Sequence, residues 1–345
     1  MAPVRNAKLL FKEVPKGYPE PGKTTVYDTS DTIDLDTVAL NGSILIKVLY
    51  LSADPYMRGK MRDPNTKSYS PPFTLGAPID GFGIGKVVRS EKEGLKEGDI
   101  VSYHAMQWVE YMIPEDTSYI EKLDPLPGLS LSTYIGAIGM PGKTAYMAWK
   151  EYAKAKKGET AFVSTAAGAV GAIVVQLAKL DGMKVIASVG SDEKVQFAKE
   201  IGADVVFNYK TTDTEEVLAK EGPIDVYWDN VGGSTLDAAL GNSAVLARFI
   251  ECGMISGYNS GGQPVSMKNL MKIVSNQIDM HGFIVSRLFS KYNKEFNEVI
   301  PKLIKEGKIK HNEDLTKGLE FGGEALLDVQ VGNNTGKKVV VVAEN

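Results

Sequence analysis

The second half of the chain alternates apolar strands with helical stretches from about residue 158 onward, and this rhythm limits the fold more than any other feature. Six strand-like segments can be listed, at 160–165, 184–189, 204–209, 224–230, 247–253 and 278–285. Strands that alternate with helices form a parallel sheet covered on both faces. Six such strands make a full doubly wound set, which binds ligands beyond the carboxyl ends of its strands. We therefore predict an α/β fold built around a doubly wound parallel sheet.

The first part of the chain has a different pattern of short β segments separated by Gly and Pro. These segments lie at 43–52, 81–90, 99–105 and 108–114. They are typical of a barrel-like or sandwich-like domain. A chain of 345 residues also favours two domains over one. After an amphipathic segment at 291–307, the run GKKVVVVA at 336–343 predicts a last strand that returns to the first domain.

A glycine-containing motif, Ala166 to Gly171, follows the first strand of the second half and precedes a helical stretch. This is the position of a dinucleotide fingerprint, in which helix-start N–H groups hold the pyrophosphate. Gly168 would let the backbone approach the pyrophosphate, and Gly171 would let the helix pack closely on the strand. We assign Ala167, Ala169 and Val170 to the same site. Because Ala166 replaces the first glycine, an ordinary strand-to-helix turn remains the alternative.

The end of the second strand, Val189-Gly190-Ser191, predicts which nicotinamide cofactor is used. An NAD-selective site usually has an acidic side chain there, which binds the ribose hydroxyls. That acid is missing, and Lys194 follows one helical turn after Ser191, so the pair can bind a 2′-phosphate. We therefore expect NADPH. The alternative is that Ser191 only caps a helix and Lys194 is a solvated charge.

The residue types present exclude several chemistries. Cys252 is the one cysteine, and the three histidines, His104, His281 and His311, lack the spacing of a metal pair. We therefore predict no catalytic or structural zinc, and no disulfide within the chain. No G-x-S-x-G elbow or phosphate-binding P-loop occurs. Hydride transfer without a metal is what remains.

The charge distribution indicates the kind of partner. The formal net charge is -4, with no run of like charge, so neither nucleic acid nor an anionic membrane is expected as a partner. The sequence has no secretion signal and no long apolar span, which predicts a cytoplasmic protein. A small molecule is the expected partner.

Without a metal, a substrate carbonyl must be polarised by hydrogen-bond donors, and a tyrosine hydroxyl stays protonated at neutral pH. We single out Tyr56, in Asp54-Pro55-Tyr56, and Tyr258, which lies beyond the fifth parallel strand. On position alone, each is equally consistent with an ordinary packing tyrosine.

Several long motifs then carry a family resemblance over nearly the whole chain. They are LYLSADPYMRGKM at 49–61, IGMPGKTAY at 138–146, AAGAVG at 166–171, FNYK at 207–210, DNVGG at 229–233, ECGMISGY at 251–258, GFIVS at 282–286 and GNNTGKKVVVV at 332–342. The chain resembles the zinc-independent medium-chain dehydrogenase/reductases, in the alkenal double-bond reductase and prostaglandin reductase branch. The resemblance implies a GroES-like β-barrel catalytic domain over 1–130, a Rossmann NADPH-binding domain over 131–298 and a return to the catalytic domain over 299–345. It also implies NADPH in the cleft between the domains and a homodimer.

The resemblance further assigns residues to the site. Positions expected to line the cofactor are Met140, Thr144, Gly168, Gly171, Gly190, Lys194, Tyr209, Asn230, Cys252, Phe283, Val285 and Asn334. We also assign Ser256 to the cofactor site. Tyr56 and Tyr258 are expected to face the substrate carbonyl. Gly257 stands directly before the tyrosine, where such proteins commonly have a bulkier residue. The resemblance therefore does not predict the width of the substrate pocket.

Together these expectations predict NADPH-dependent reduction of the C=C bond of α,β-unsaturated aldehydes or ketones, with hydride added to the β-carbon. A quinone reductase with the same domains and cofactor is the enzymatic alternative. A non-catalytic NADPH-binding or sensing protein is the alternative from another class. Reduction of a carbonyl to an alcohol is disfavoured, because metal ligands are absent from the sequence.

Overall fold

The computed structural model describes residues 2–263 and 265–344, which divide into two compact units. The first unit consists of Met1–Ile135 and Glu313–Asn345, and the second of Gly136–Asn312. The chain thus leaves the first unit once and returns to it. The predicted domain limits at 130/131 and 298/299 stay predictions.

The helices and strands follow in chain order. Up to residue 135 they are β1 (Val4–Arg5), β2 (Lys8–Phe11), β3 (Thr25–Asp28), β4 (Thr32–Ile33), β5 (Ile44–Ser52), α1 (Met57–Lys60), β6 (Asp80–Ser90), β7 (Ile100–Gln107), β8 (Tyr111–Met112), β9 (Glu121–Leu123) and the 3₁₀ turn Leu131–Tyr134. The second unit contains α2 (Met140–Ala148), the π-helical turn Trp149–Ala153, β10 (Thr160–Val163), α3 (Gly171–Leu180), β11 (Lys184–Val189), α4 (Asp192–Glu200), β12 (Val205–Asn208), α5 (Thr214–Glu221), β13 (Ile224–Asp229), α6 (Gly233–Gly241), β14 (Ser243–Glu251), α7 (Ile255–Tyr258), α8 (Lys272–Ser275), β15 (Asp279–Gly282), the 3₁₀ turn Val285–Leu288 and α9 (Phe289–Lys305). The chain then ends with β16 (Glu313–Lys317), the 3₁₀ turn Leu319–Phe321, α10 (Gly322–Val331) and β17 (Lys337–Val341).

The first unit contains a seven-stranded sheet in the order β16-β17-β5-β6-β7-β9, with β8 paired to β5, and two two-stranded sheets, β1-β4 and β2-β3. β17 runs antiparallel to β5, with Val340 opposite Leu51. The last strand of the chain thus pairs with a strand of the first unit. The predicted strand at 108–114 is shorter than expected, because its first residues bond elsewhere: the Trp108 N–H donates to the Ile79 carbonyl at 2.8 Å.

Two glycines of β6 let this sheet bend tightly over its core. A Cβ at Gly83 would lie 2.5 Å from the Met106 side chain, and one at Gly85 would lie 2.2 Å from Ile46. The pairing of β6 with both neighbours also shifts register nearby. Glycine and bulges of this kind curve a sheet toward a barrel. The fully buried side chains beneath include Trp108.

The second unit contains a six-stranded sheet in the order β12-β11-β10-β13-β14-β15, with every pair parallel. This is the doubly wound order, so the predicted fold class is confirmed. Three fully buried rings lie across adjacent strands: Phe162 stacks on Tyr227 with centroids 5.0 Å apart, and Phe249 meets Tyr227 edge to face at 5.2 Å. The sixth strand ends at Gly282, earlier than expected, because the chain turns into a 3₁₀ turn at Val285. Among the described residues, no helix combines the length and apolar character needed to cross a bilayer.

Candidate functional site

The strand order of the second unit reverses between β10 and β13. From β10 the chain builds outward through β11 and β12, and then returns to place β13 on the other side of β10. The connections therefore diverge at the carboxyl ends of β10 and β13 and leave a crevice there. Most of the predicted cofactor residues lie on the loops that leave this edge of the sheet.

The turn between β10 and α3 leaves little or no room for a side chain at two of its positions. A Cβ at Gly171 would lie 2.3 Å from the Thr165 carbonyl oxygen, and one at Gly168 would lie 3.2 Å from the same atom. Thr165 itself has a left-handed φ of 53°. This turn, with Ala167, Ala169 and Val170, leads into α3, where the Ala172 and Ile173 N–H groups donate to the Gly168 and Val170 carbonyls at 3.0 and 3.1 Å. The positive end of the α3 dipole points toward the turn and favours an anion there. The geometry fits a bound pyrophosphate.

The loops after β11 and β12 bring four predicted residues together. The Tyr209 hydroxyl lies 3.1 Å from the position that a Cβ would occupy if residue 190 were not glycine. The Tyr209 N–H donates to the Val189 carbonyl at 3.0 Å. Ser191 is the N-cap of α4, and its Oγ accepts from the Lys194 N–H at 3.4 Å. The capping role left open for Ser191 is therefore present. It does not exclude a phosphate, because a hydroxyl has one donor and two acceptor sites.

Asn230, directly after β13, is held by Ser164, which directly follows β10, and by Trp228 on β13. Its side-chain amide donates to the Ser164 carbonyl at 2.6 Å, and its N–H donates to Ser164 Oγ at 2.9 Å. The Trp228 indole N–H donates to Asn230 Oδ1 at 3.2 Å. These bonds fix the amide at the reversal point of the sheet.

Below Asn230 lies Asp229, which is fully buried and accepts several hydrogen bonds through one oxygen. Asp229 Oδ1 accepts from the Tyr227 hydroxyl and the Val231 N–H, both at 2.7 Å, and from the Gly232 N–H at 2.8 Å. Glu251, at the end of the neighbouring strand β14, is its cross-strand partner. Two carboxyl groups therefore underlie the loops that follow β13 and β14.

The segment after β14 carries Cys252, Ser256 and Tyr258. Burial, with the nearby carboxylates of Asp229 and Glu251, raises the pKa of the Cys252 thiol to about 12, so this thiol is neutral at physiological pH. Ser256 Oγ donates to the Val231 carbonyl at 2.6 Å, tying this segment to the loop after β13.

Tyr258 ends the short helix α7, beyond the carboxyl end of the fifth strand, as expected. Its hydroxyl accepts from the Met254 N–H at 3.4 Å and lies 3.0 Å from the place of a Cβ at Gly253. The ring therefore lies back over its own loop, with the hydroxyl above the end of β14. The phenol is partly accessible.

The remaining predicted positions of the second unit lie on helices and turns. Thr144 is buried, and its hydroxyl donates to the Met140 carbonyl at 2.8 Å within α2. The Phe283 ring contacts Trp228 at a centroid distance of 5.9 Å. Val285 begins the 3₁₀ turn after β15.

Tyr56 belongs to the first unit, where its turn is firmly anchored. The turn begins at Asp54, whose Oδ1 accepts from the buried Lys337 ammonium at 2.9 Å. The Gln330 side-chain amide donates to the Pro55 carbonyl at 3.1 Å. Burial first, and then the charges of Asp54 and Asp80, raise the pKa of Tyr56 well above its usual value, so its hydroxyl stays protonated.

Asn334 also belongs to the first unit. Its side-chain amide donates to the Gly336 carbonyl at 2.8 Å in the turn before β17. The assignment of all these positions to cofactor or substrate stays a prediction.

Two of the three histidines pack against aromatic rings, and His281 Nε2 also lies 2.8 Å from Asp279 Oδ1. His104 contacts Tyr103 and Tyr119 at centroid distances of 5.3 and 5.1 Å, and His281 stacks on Tyr152 at 4.6 Å. Within residues 2–263 and 265–344, no three His, Cys, Asp or Glu side chains come together as a candidate metal site.

Sequence reasoning missed three residues that organise the site: Ser164, Asp229 and Glu251. Asp229 was visible within the DNVGG motif, but its role as an acceptor for the following N–H groups depends on the turn geometry. Ser164 and Glu251 lie in predicted strands, and nothing in the sequence indicated that they bond to other loops.

Two family models match the chain. Residues 8–122 match the N-terminal domain of oxidoreductases, and residues 169–305 match the zinc-binding dehydrogenase domain. The second description is the name of a domain family.

Similar proteins cover the chain almost end to end. It is 40% identical to the 2-alkenal reductase (NADP(+)-dependent) of Nicotiana tabacum over 99% of this chain and 98% of that protein. It is 41% identical to the (+)-pulegone reductase of Mentha piperita over 88% and 89% of the two chains. The crystal structure of CurA from Vibrio vulnificus in complex with NADPH matches with a TM-score of 0.88 at 33% identity, over 98% of this chain and 100% of that one. The chain therefore belongs to the medium-chain dehydrogenase/reductase family, in the branch of the NADP-dependent alkenal double-bond reductases.

Proposed function

We propose that this protein uses NADPH to reduce the C=C bond of α,β-unsaturated aldehydes and ketones. The observation that carries the proposal is the position of Tyr258. Its phenol lies beyond the carboxyl end of the fifth strand, at the same edge of the sheet as the turn that has no room for a side chain at Gly171. The names of the tobacco and peppermint relatives support the reaction class.

The residues of the second unit fit NADPH in three places. The start of α3 suits the pyrophosphate, because a Cβ at Gly171 is excluded and the helix dipole favours negative charge. Gly190 lies against the Tyr209 ring, whose hydroxyl is 3.1 Å from the position that a Cβ on residue 190 would occupy, and we assign these two residues to the adenosine. Ser191 and Lys194 supply a donor and a positive charge for the 2′-phosphate. CurA of Vibrio vulnificus, solved with NADPH, supports this choice of cofactor.

When bound, NADPH supplies the hydride that adds to the β-carbon. The task of the chain is to stabilise the negative charge that develops on the carbonyl oxygen as the enolate forms. The Tyr258 hydroxyl donates a hydrogen bond to that oxygen. Tyr56, the other tyrosine predicted to face the substrate, belongs to the first unit. Because the pKa of Tyr56 is raised well above its usual value, its proton is not lost at any physiological pH. The α-carbon is then protonated to give the saturated carbonyl compound.

The proposal is tested by NADPH oxidation with a 2-alkenal, an aryl-substituted enone and a benzoquinone, followed by analysis of the products. Saturated aldehyde and ketone products are expected. Turnover of the quinone alone would replace the proposal with a quinone reductase. Tight NADPH binding without turnover of any of the three would favour a binding or sensing role.

A further inference from the structure

Two buried carboxyl groups lie next to each other beneath the proposed cofactor site, and the mechanism uses neither of them. Asp229 ends β13 and Glu251 ends β14, and the two residues are direct partners in the parallel pairing of these strands. Asp229 is fully buried, and both side-chain oxygens of Glu251 are also buried. Two ionised carboxylates in this arrangement would repel each other strongly.

The hydrogen bonds around the pair leave three oxygens without a donor. Asp229 Oδ1 accepts from Tyr227, Val231 and Gly232. Within the described residues, Asp229 Oδ2 and both Glu251 oxygens have no partner. Buried polar atoms are nearly always hydrogen-bonded, so this gap needs a physical explanation. One proton held between the two carboxyl groups supplies a donor where none is otherwise present.

The groups that face Glu251 do not supply a compensating positive charge. Asp229 and Tyr227 face it from β13, Cys252 follows it directly after the end of β14, and Gly282, which has no side chain, is its partner on β15.

Two further ionisable groups lie on the elements that pack over this face of the sheet. α6 carries Asp237, whose carboxylate accepts from the Asn269 N–H at 2.8 Å, and α8 carries the partly exposed Lys272. Burial first, and then the charge of Asp229, raise the pKa of Glu251 to about 9.

We propose that Asp229 and Glu251 share one proton at neutral pH, with Glu251 donating to Asp229 Oδ2, and that the shared proton positions the two loops proposed to hold the nicotinamide end of NADPH. Both residues are positioning residues. The part that concerns NADPH rests on the function proposed above.

Asp229 can act on both loops because it bonds to each. Its carboxylate fixes the N–H groups of Val231 and Gly232 after β13. Its backbone carbonyl accepts from the Cys252 and Gly253 N–H groups, at 2.9 and 3.1 Å, after β14. Loss of the shared proton places two like charges side by side at this junction. The loops then separate, and NADPH binds more weakly.

The shared proton is tested first in the protein without cofactor, by infrared difference spectroscopy between pH 7 and 10. A protonated carboxyl band that disappears with a midpoint near 9 is expected in the wild type, and it should be missing from Glu251→Gln. Glu298→Gln, which removes an exposed carboxylate on α9, is the matched control and should keep the band. Absence of any such band in the wild type would overturn the proposal, as would a cation found bound at the pair by elemental analysis.

The positioning role is tested by measuring the Kd of NADPH against pH by fluorescence. In the wild type, Kd should be constant from pH 7 to 8.5 and then rise by up to roughly tenfold per pH unit above 9. Glu251→Gln should lose this rise, since a glutamine amide donates to Asp229 at every pH, whereas Glu298→Gln should keep it.

The two proposals fail in different ways. An equal alkaline rise in the wild type and Glu251→Gln would overturn the positioning role while leaving the function intact. No binding of NADPH at pH 7 would overturn the proposed function, and the infrared band would still decide whether the proton is shared.

Discussion

At the scale of single residues, the account depends on Tyr258 as the donor to the developing enolate oxygen. We expect Tyr258→Phe to lower kcat for a 2-alkenal by about a hundredfold, because one donor to an oxyanion contributes roughly 3 kcal/mol. The Kd of NADPH should change little, since the hydroxyl is not proposed to bind the cofactor. Pre-steady-state NADPH oxidation together with fluorescence titration separates the two effects. A variant that turns over as fast as the wild type would remove Tyr258 from the mechanism.

Lys194 is the residue on which cofactor choice depends. Lys194→Ala should weaken NADPH binding by about tenfold or more, because a charge-assisted hydrogen bond to phosphate is lost, and should leave NADH binding unchanged. Lys199→Ala removes an exposed positive charge from the same helix and is the matched control. Equal loss of NADH and NADPH affinity in Lys194→Ala would show that the lysine does not contact the 2′-phosphate.

At the scale of elements, the close packing of α3 against the turn after β10 depends on the absence of a side chain at Gly171. Gly171→Ala would place a Cβ 2.3 Å from the Thr165 carbonyl oxygen, so the start of α3 must move. We expect a loss of about 1–3 kcal/mol in the free energy of unfolding, and weaker NADPH binding. Gly17→Ala, at a position with nothing within 4 Å of the added Cβ, is the control. Urea unfolding of both variants measures the difference, and equal stability would contradict the close packing described here.

The elements that sequence predicted well are those set by local pattern. The six parallel strands follow from apolar runs between helical stretches, and the glycine turn follows from its place between a strand and a helix. Strand ends were predicted less well, because hydrogen bonds to distant residues decide them: Trp108 bonds to Ile79 and so does not begin a strand. The anchoring of the Tyr56 turn by Lys337 joins residues 283 positions apart in sequence, and no local pattern contains it.

The same distinction between local pattern and distant contacts applies to the residues of the candidate site. Gly168, Gly171 and Lys194 could be assigned from spacing, and Tyr258 from its place after the fifth strand. The carboxyl pair could not, because Asp229 and Glu251 meet only when β13 and β14 pair in one particular register.

At the scale of the whole molecule, the carboxyl pair makes global stability depend on pH. The folded state raises the pKa of Glu251 from about 4.3 in an unfolded chain to about 9, so folding favours its neutral form. That contribution is complete below the unfolded pKa, is lost as the pH rises toward 9, and stays constant above it.

This dependence can be measured by urea unfolding of the wild type and Glu251→Gln at pH 6, 7 and 8. Glu251→Gln should gain stability relative to the wild type, by up to about 1.4 kcal/mol per pH unit, since its amide does not titrate. A constant difference across this range would mean that Glu251 has an ordinary pKa.

The central claim is that hydride from NADPH reaches the β-carbon of an unsaturated carbonyl compound. The most direct measurement is the reaction of a 2-alkenal with NADPH deuterated at C4 on the transferred face, with the product analysed by NMR. The account predicts a saturated aldehyde with deuterium on the β-carbon. Deuterium on the carbonyl carbon of an unsaturated alcohol would contradict it.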